Sequence, residues 1–85
     1  MAKSVFTDAN SVVVEALVAA RKAAGLRQED LAARLGKNQS FISRIEGGQR
    51  RVDILEFYAL AMAIDVNPAD LFAAIAKRLP KTIMI

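Results

Sequence analysis

Apolar positions recur along this chain every three or four residues, and single glycines or prolines break the pattern into short lengths. Val13, Val14, Leu17, Ala20 and Ala24 keep that spacing, which predicts a first helix from Asp8 to Ala24 that stops at Gly25. Leu31, Ala32 and Leu35 share a side of a second helix over Gln28–Leu35, which Gly36 ends by supplying a left-handed residue. Asn38 is a good N-cap for a third helix over Gln39–Glu46, closed by Gly47-Gly48. Asp53 and Glu56 have the spacing of a capping box and open a fourth helix that reaches Ile64. Asn67-Pro68 pairs an N-cap with proline at the first helical position and opens a fifth, which ends before Pro80. Five short helices with tight turns predict a compact all-α domain. Residues 1–7 are expected to be a short N-terminal arm, 8–79 the helical domain, and 80–85 an apolar C-terminal tail.

The third helix poses the chemical question. At about 100° per residue from Gln39, Phe41, Ile45 and Ile42 fall at roughly 200°, 240° and 300°, an apolar arc that faces a core. Gln39, Ser43, Ser40 and Arg44 fall at about 0°, 40°, 100° and 140°, an opposed polar arc. These side chains are short or forked and carry donors and acceptors. Arginine matches guanine O6 and N7, glutamine matches adenine N6 and N7, and serine suits either, so the arc has the inventory for reading base edges. An ordinary solvated face more often carries lysine and glutamate.

Composition narrows the alternatives. Eighty-five residues make one domain with one core, and 54% of them are hydrophobic. There is no cysteine and no histidine, so a disulfide framework, a thiolate or imidazole metal site and a histidine base are excluded. The carboxylates Glu29, Asp30, Asp53 and Asp70 have no metal-ligand spacing, and no nucleophile–base pair is present, so an enzyme is not expected, nor a cofactor. The longest apolar run, Phe57–Ile64, is too short to span a bilayer. The N-terminus lacks a secretory core. A cytoplasmic protein, drawn to the nucleoid through DNA, is expected. The net charge of +3 is unevenly placed, with eight basic against three acidic residues between Arg21 and Arg51, and four basic against six acidic elsewhere. A basic middle is what a polyanion-binding surface needs.

The neighbouring helix makes the signal specific. Leu31, Ala32, Leu35, Gly36, Ile42 and Ile45 stand in the register of a helix-turn-helix, whose second helix enters the DNA major groove. The segment GLRQEDLAARLGKNQSFISRIEGGQRRVDILEFYALAMAIDV resembles the Cro/lambda-repressor-like, or Xre-type, helix-turn-helix domain, chiefly in its G-L-x-Q-x-x-L-A opening and I-x-x-I-E-x-G close. The likeness covers Val12 to Phe72. It implies a five-helix lambda-repressor-like fold and a DNA-binding transcriptional regulator, usually a dimer on a palindromic operator. By position it implies that Gln39, Ser40 and Arg44 read bases, that Gln28 and Asn38 touch phosphates, and that Arg21 and Glu46 form a structural ion pair. Ser43 lies at the edge of the reading set and is expected at a phosphate. Arg50 and Arg51, in a short basic loop where many relatives have proline, are expected as phosphate clamps. Phe41, larger than its usual counterpart, has two readings, packing inward or meeting a thymine methyl.

Leu71, Phe72, Ile75 and Leu79 form a stripe on the fifth helix, and KTIMI follows. Either this stripe and Ile83 make a homodimer surface, or the tail packs back on its own domain. A dimer would set two recognition helices about 34–36 Å apart on one face of the duplex. The expected function is a sequence-specific dimeric repressor with no effector domain. The alternative is an antitoxin whose apolar tail binds a toxin and whose DNA binding is autoregulatory, which would make a toxin or another regulator its protein partner.

Overall fold

The computed structural model of the protein describes residues 5–83, and within them the chain is five α-helices. α1 spans Val5–Ala23, α2 Gln28–Arg34, α3 Gln39–Glu46, α4 Ile54–Ile64 and α5 Pro68–Arg78. The helical domain therefore starts at Val5, and residues 5–7 of the expected arm belong to α1. The alanine-rich sequence after Val12–Val14 outweighs the β-preference of the valines. The remaining arm residues, Lys3 included, and residues 84–85 of the tail lie outside the described residues.

Local chemistry accounts for most of the helix ends. Asp30 accepts the backbone N–H of Arg27 at 2.8 Å and two bonds from its guanidinium, at 3.1 Å each, at the mouth of α2. That guanidinium holds the Asp30 carboxyl below the usual carboxylate range. Asn38 caps α3 by accepting the Phe41 N–H at 3.3 Å. In the capping box of α4, Asp53 accepts the Glu56 N–H at 2.7 Å and Glu56 accepts the Asp53 N–H at 3.0 Å. Asn67 accepts the N–H groups of Ala69 and Asp70 ahead of α5. The turn between α2 and α3 closes through Gly36 at φ 68°, where the Lys37 N–H reaches the Ala32 carbonyl at 2.9 Å. Only a residue without Cβ takes that conformation at no cost. α4 ends differently, on Asp65 at φ 72° and ψ 41°.

α2 and α3 pack on each other, α1 packs on α3 and α4 on α2, and α5 closes the domain against α1 and α4. The core comprises Leu17 of α1, Leu31 and Ala32 of α2, Ile42 and Ile45 of α3, Phe57, Leu60 and Ile64 of α4, and Ile75 of α5. Ile75 is 0% exposed, which corrects its expected place on a dimer surface: its side chain is already used inside the domain. Leu71 and Leu79 are partly buried against the same core. Ile83 lines a hollow with Ala9, Asn10, Val13, Arg51, Val52 and Leu79, so the start of the tail lies back on its own domain. Of the predicted stripe, Phe72 alone is strongly exposed, at 48%, with its ring set edge-on to Phe57 at a centroid distance of 6.1 Å.

Candidate nucleic-acid interface

α3 is eight residues long, and its two sides have opposite fates. Ile42 and Ile45 are buried, whereas Gln39, Ser40, Ser43 and Arg44 are all exposed. Burial of the isoleucines settles the helix's rotation and thereby presents the polar arc outward. Among the described residues the Arg44 guanidinium has no side-chain partner. The Ser40 hydroxyl donates to Asn38 Oδ1 at 2.6 Å, which leaves its lone pairs outward.

A hydrogen-bonded relay runs from the core to this face. Arg21, on α1, donates from Nε and Nη2 to the two carboxylate oxygens of Glu46 at 2.7 and 2.9 Å, and from Nη1 to the Leu26 carbonyl at 2.8 Å. The two charged side chains are only 10% and 9% exposed, so the pair is a buried one in which each guanidinium nitrogen and each carboxylate oxygen has a hydrogen-bond partner. Glu46 also accepts from Gln28 Nε2 at 2.9 Å, and Gln28 Oε1 in turn accepts from Gln39 Nε2 at 3.1 Å.

Direction propagates along this chain. A carboxylate only accepts, so Gln28 must turn its NH₂ toward Glu46 and its oxygen toward Gln39. Gln39 must then turn its NH₂ toward Gln28. What it leaves free is a carbonyl oxygen and one N–H, the pair that adenine N6 and N7 require. Sequence reasoning placed Gln28 at a phosphate; the structure shows it half-buried and setting the orientation of Gln39.

The basic loop holds a correction. Arg50 donates to Glu56 Oε1 and Oε2 at 2.9 and 2.5 Å and to the Arg51 carbonyl at 2.9 Å. Its guanidinium carbon also lies 5.0 Å from the centre of the Phe41 ring. It is therefore a strut joining the loop to α4, not an open phosphate clamp, because a nearby carboxylate meets the fork at bidentate range. The Arg50 guanidinium, helped by the Asp53 N–H, lowers the Glu56 pKa from 4.5 to about 2. Phe41 packs against the core edge, and its ring also receives Lys37 Nζ at 5.3 Å. Lys37 was not singled out from sequence, since the pairing depends on how the turn folds. Arg51 is exposed beside this cluster, as is Asn38 at the start of α3.

Two short helices across a glycine turn, one braced on the core and the other showing an exposed polar face, define a helix-turn-helix domain. The chain belongs to the helix-turn-helix family, which matches residues 17–71, and within it to the Xre type, a class of DNA-binding transcriptional regulators. It is similar to a solved XRE-family-like protein from Pseudomonas syringae pv. tomato, with 37% identity and a TM-score of 0.80, over 86% of this chain and 89% of that one. It is also similar to the restriction-modification controller protein C.AhdI from Aeromonas hydrophila, with 35% identity and a TM-score of 0.70, over 78% and 96% of the two chains. An HTH-type transcriptional regulator of Sinorhizobium fredii, y4dJ, which is described as uncharacterized, is 37% identical over 51 residues, covering 60% of this chain and 66% of that protein.

Proposed function

We propose that this protein is a sequence-specific transcriptional regulator that binds a palindromic operator as a homodimer, inserts α3 in the major groove, and represses by occupying promoter DNA. The observation that carries this reading is the relay from Glu46 through Gln28 to Gln39. It orients an exposed amide beside an arginine whose fork is free to meet guanine, and a merely solvated helix has no need of such orientation. Gln39, Ser40 and Arg44 read base edges, while Asn38, Ser43 and Arg51 face phosphates together with Lys37. Phosphate contacts position the helix, and the reading residues supply discrimination.

The test is selection of bound duplexes from a random library near physiological salt, with wild type and Arg44→Ala side by side. An inverted repeat with half-sites about one helical turn apart is expected. Arg44→Ala should lose about 1–3 kcal/mol on that site and relax preference at one base position. Salt-sensitive retention with no enriched motif would leave only electrostatic attraction and overturn sequence-specific reading.

A further inference from the structure

The carboxylate of Glu56 stands where a phosphate would stand against the Arg50 guanidinium. Arg50 donates from Nη1 to Glu56 Oε1 at 2.9 Å and from Nη2 to Glu56 Oε2 at 2.5 Å, two parallel bonds across one fork. Phosphate engages arginine with the same two-point geometry, so the two anions are alternatives for one site. Among the described residues, Nη2 has no hydrogen-bond partner besides Glu56, whereas Nη1 also has the Arg51 carbonyl.

Position makes this contact matter to a polyanion. The Arg50 guanidinium carbon lies 5.0 Å from the centre of the Phe41 ring, and Phe41 stands on α3 three residues before Arg44. Residues three apart on a helix are neighbours, so the fork is held at the flank of the exposed polar arc. The Arg50 and Glu56 side chains are 37% and 24% exposed, and an anion in solvent can therefore reach the pair. Lys37 Nζ lies 5.3 Å from the same ring. Lys37 thus supplies the net positive charge around Phe41, because Arg50 and Glu56 cancel.

We propose that Glu56 is a built-in phosphate surrogate, which withholds Arg50 from the duplex and so limits the attraction of this surface for DNA of any sequence. The inference rests on the DNA-binding reading above and gives Glu56 a role in it beyond capping α4. Capping alone does not need the charge. The Asp53 N–H reaches Glu56 Oε1 at 3.0 Å, an acceptor that glutamine supplies equally well at this position. The charge is what holds the fork, and a phosphate must displace a bidentate partner tethered in the same chain before it gains the contact. Released from Glu56, Arg50 keeps its seat against Phe41 and presents Nη2 outward.

The experiment measures binding of the full chain to a random-sequence duplex between about 50 and 200 mM salt, and retention on heparin, a polyanion without bases. Glu56→Gln keeps the capping acceptor and should keep the helical circular dichroism. It should steepen the dependence of log K on log salt by about one unit and tighten binding roughly five- to tenfold at about 0.1 M. Glu56→Gln combined with Arg50→Gln restores the net charge and should return to the wild-type slope. Asp65→Asn controls for charge alone. It removes one carboxylate about 13 Å along α4 from Glu56, beyond the screening length of about 10 Å, at a backbone position that asparagine tolerates. It should not steepen the slope. An unchanged slope in Glu56→Gln, an equal gain in Asp65→Asn, or a double variant flatter than wild type by about one unit would overturn the proposal; the last would mean that Arg50 already meets phosphate. The DNA reading fails separately: a wild type that selects no operator, with a Glu56→Gln variant that gains retention on heparin, sinks base reading and leaves the surrogate standing.

Discussion

Glu46 shows how much one side chain can organise. Its carboxylate accepts from Arg21 and from Gln28 at once, and through Gln28 it orients Gln39. Replacing Glu46 with alanine strands a buried guanidinium, which should cost about 3 kcal/mol in urea unfolding. If Gln39 reads a base as proposed, the same variant should relax preference at that base, although Glu46 itself lies away from the exposed polar arc of α3. A loss below about 1 kcal/mol would mean that the pair behaves like a solvated surface bridge. Asp65 presents the opposite situation. It is the one non-glycine residue with positive φ among the described residues, and it places a carboxylate at the negative end of α4. Asp65→Gly should raise stability by about 0.5–1 kcal/mol, measured as a higher denaturant midpoint. An unchanged or lower midpoint would count against strain at this position. The alternation that exposes Gln39 and Arg44 was legible from helical spacing. The partner of Arg50 was not, because Glu56 lies six residues away across a loop whose path no periodicity describes.

At the scale of the element, α4 begins on a junction that a change of pH can probe. The Arg50 guanidinium and the Asp53 N–H lower the Glu56 pKa from 4.5 to about 2. A depressed folded-state value means that the ionised form is favoured by folding. Its contribution to stability is full above about pH 4.5 and is lost as the pH falls from there toward 2. In Glu56→Gln, stability should therefore fall less steeply than in wild type across that window, with the two curves most separated near neutral pH. Parallel curves would show that Glu56 does not contribute to the acid transition. Asp30, whose carboxyl Arg27 also holds low, remains in both proteins, so the difference between the curves isolates Glu56. The two sides of α4 also explain why its exposed apolar face was not singled out from sequence. A helix apolar all round reads as buried, and the pattern ILEFYALAMAI does not say which side meets the core. Folding turned Phe57, Leu60 and Ile64 inward and left Leu55, Tyr58 and Met62 outside.

Across the whole molecule, the basic middle of the chain is distributed between two tasks. Arg21 and Arg50 are committed to Glu46 and Glu56, whereas Arg44 stands exposed on the polar face of α3. Net charge thus overstates how much of the arginine content meets a duplex. The proposed dimer adds a thermodynamic consequence, since association would link folding to concentration. Raising the protein concentration about 100-fold should raise Tm by several degrees in calorimetry. A Tm that stays flat would indicate that the folded unit is a monomer.

The five helices, their caps and the polar arc of α3 were determined by the sequence itself, because each depends on neighbours within one or two turns. Asn38, Asp53 and Asn67 cap the helices that follow them, and Ile42 and Ile45 orient α3 through a spacing readable in the chain. The pairing of Arg21 with Glu46 was legible only through the family resemblance, since the two are separated by 25 residues. Tertiary structure alone decided that Gln28 holds Gln39, that Arg50 turns to Glu56, that Ile75 lies in the core, and that one side of α4 stays open. Each of these depends on where helices distant in sequence come to rest, and that is set by the shared packing of all five around one core.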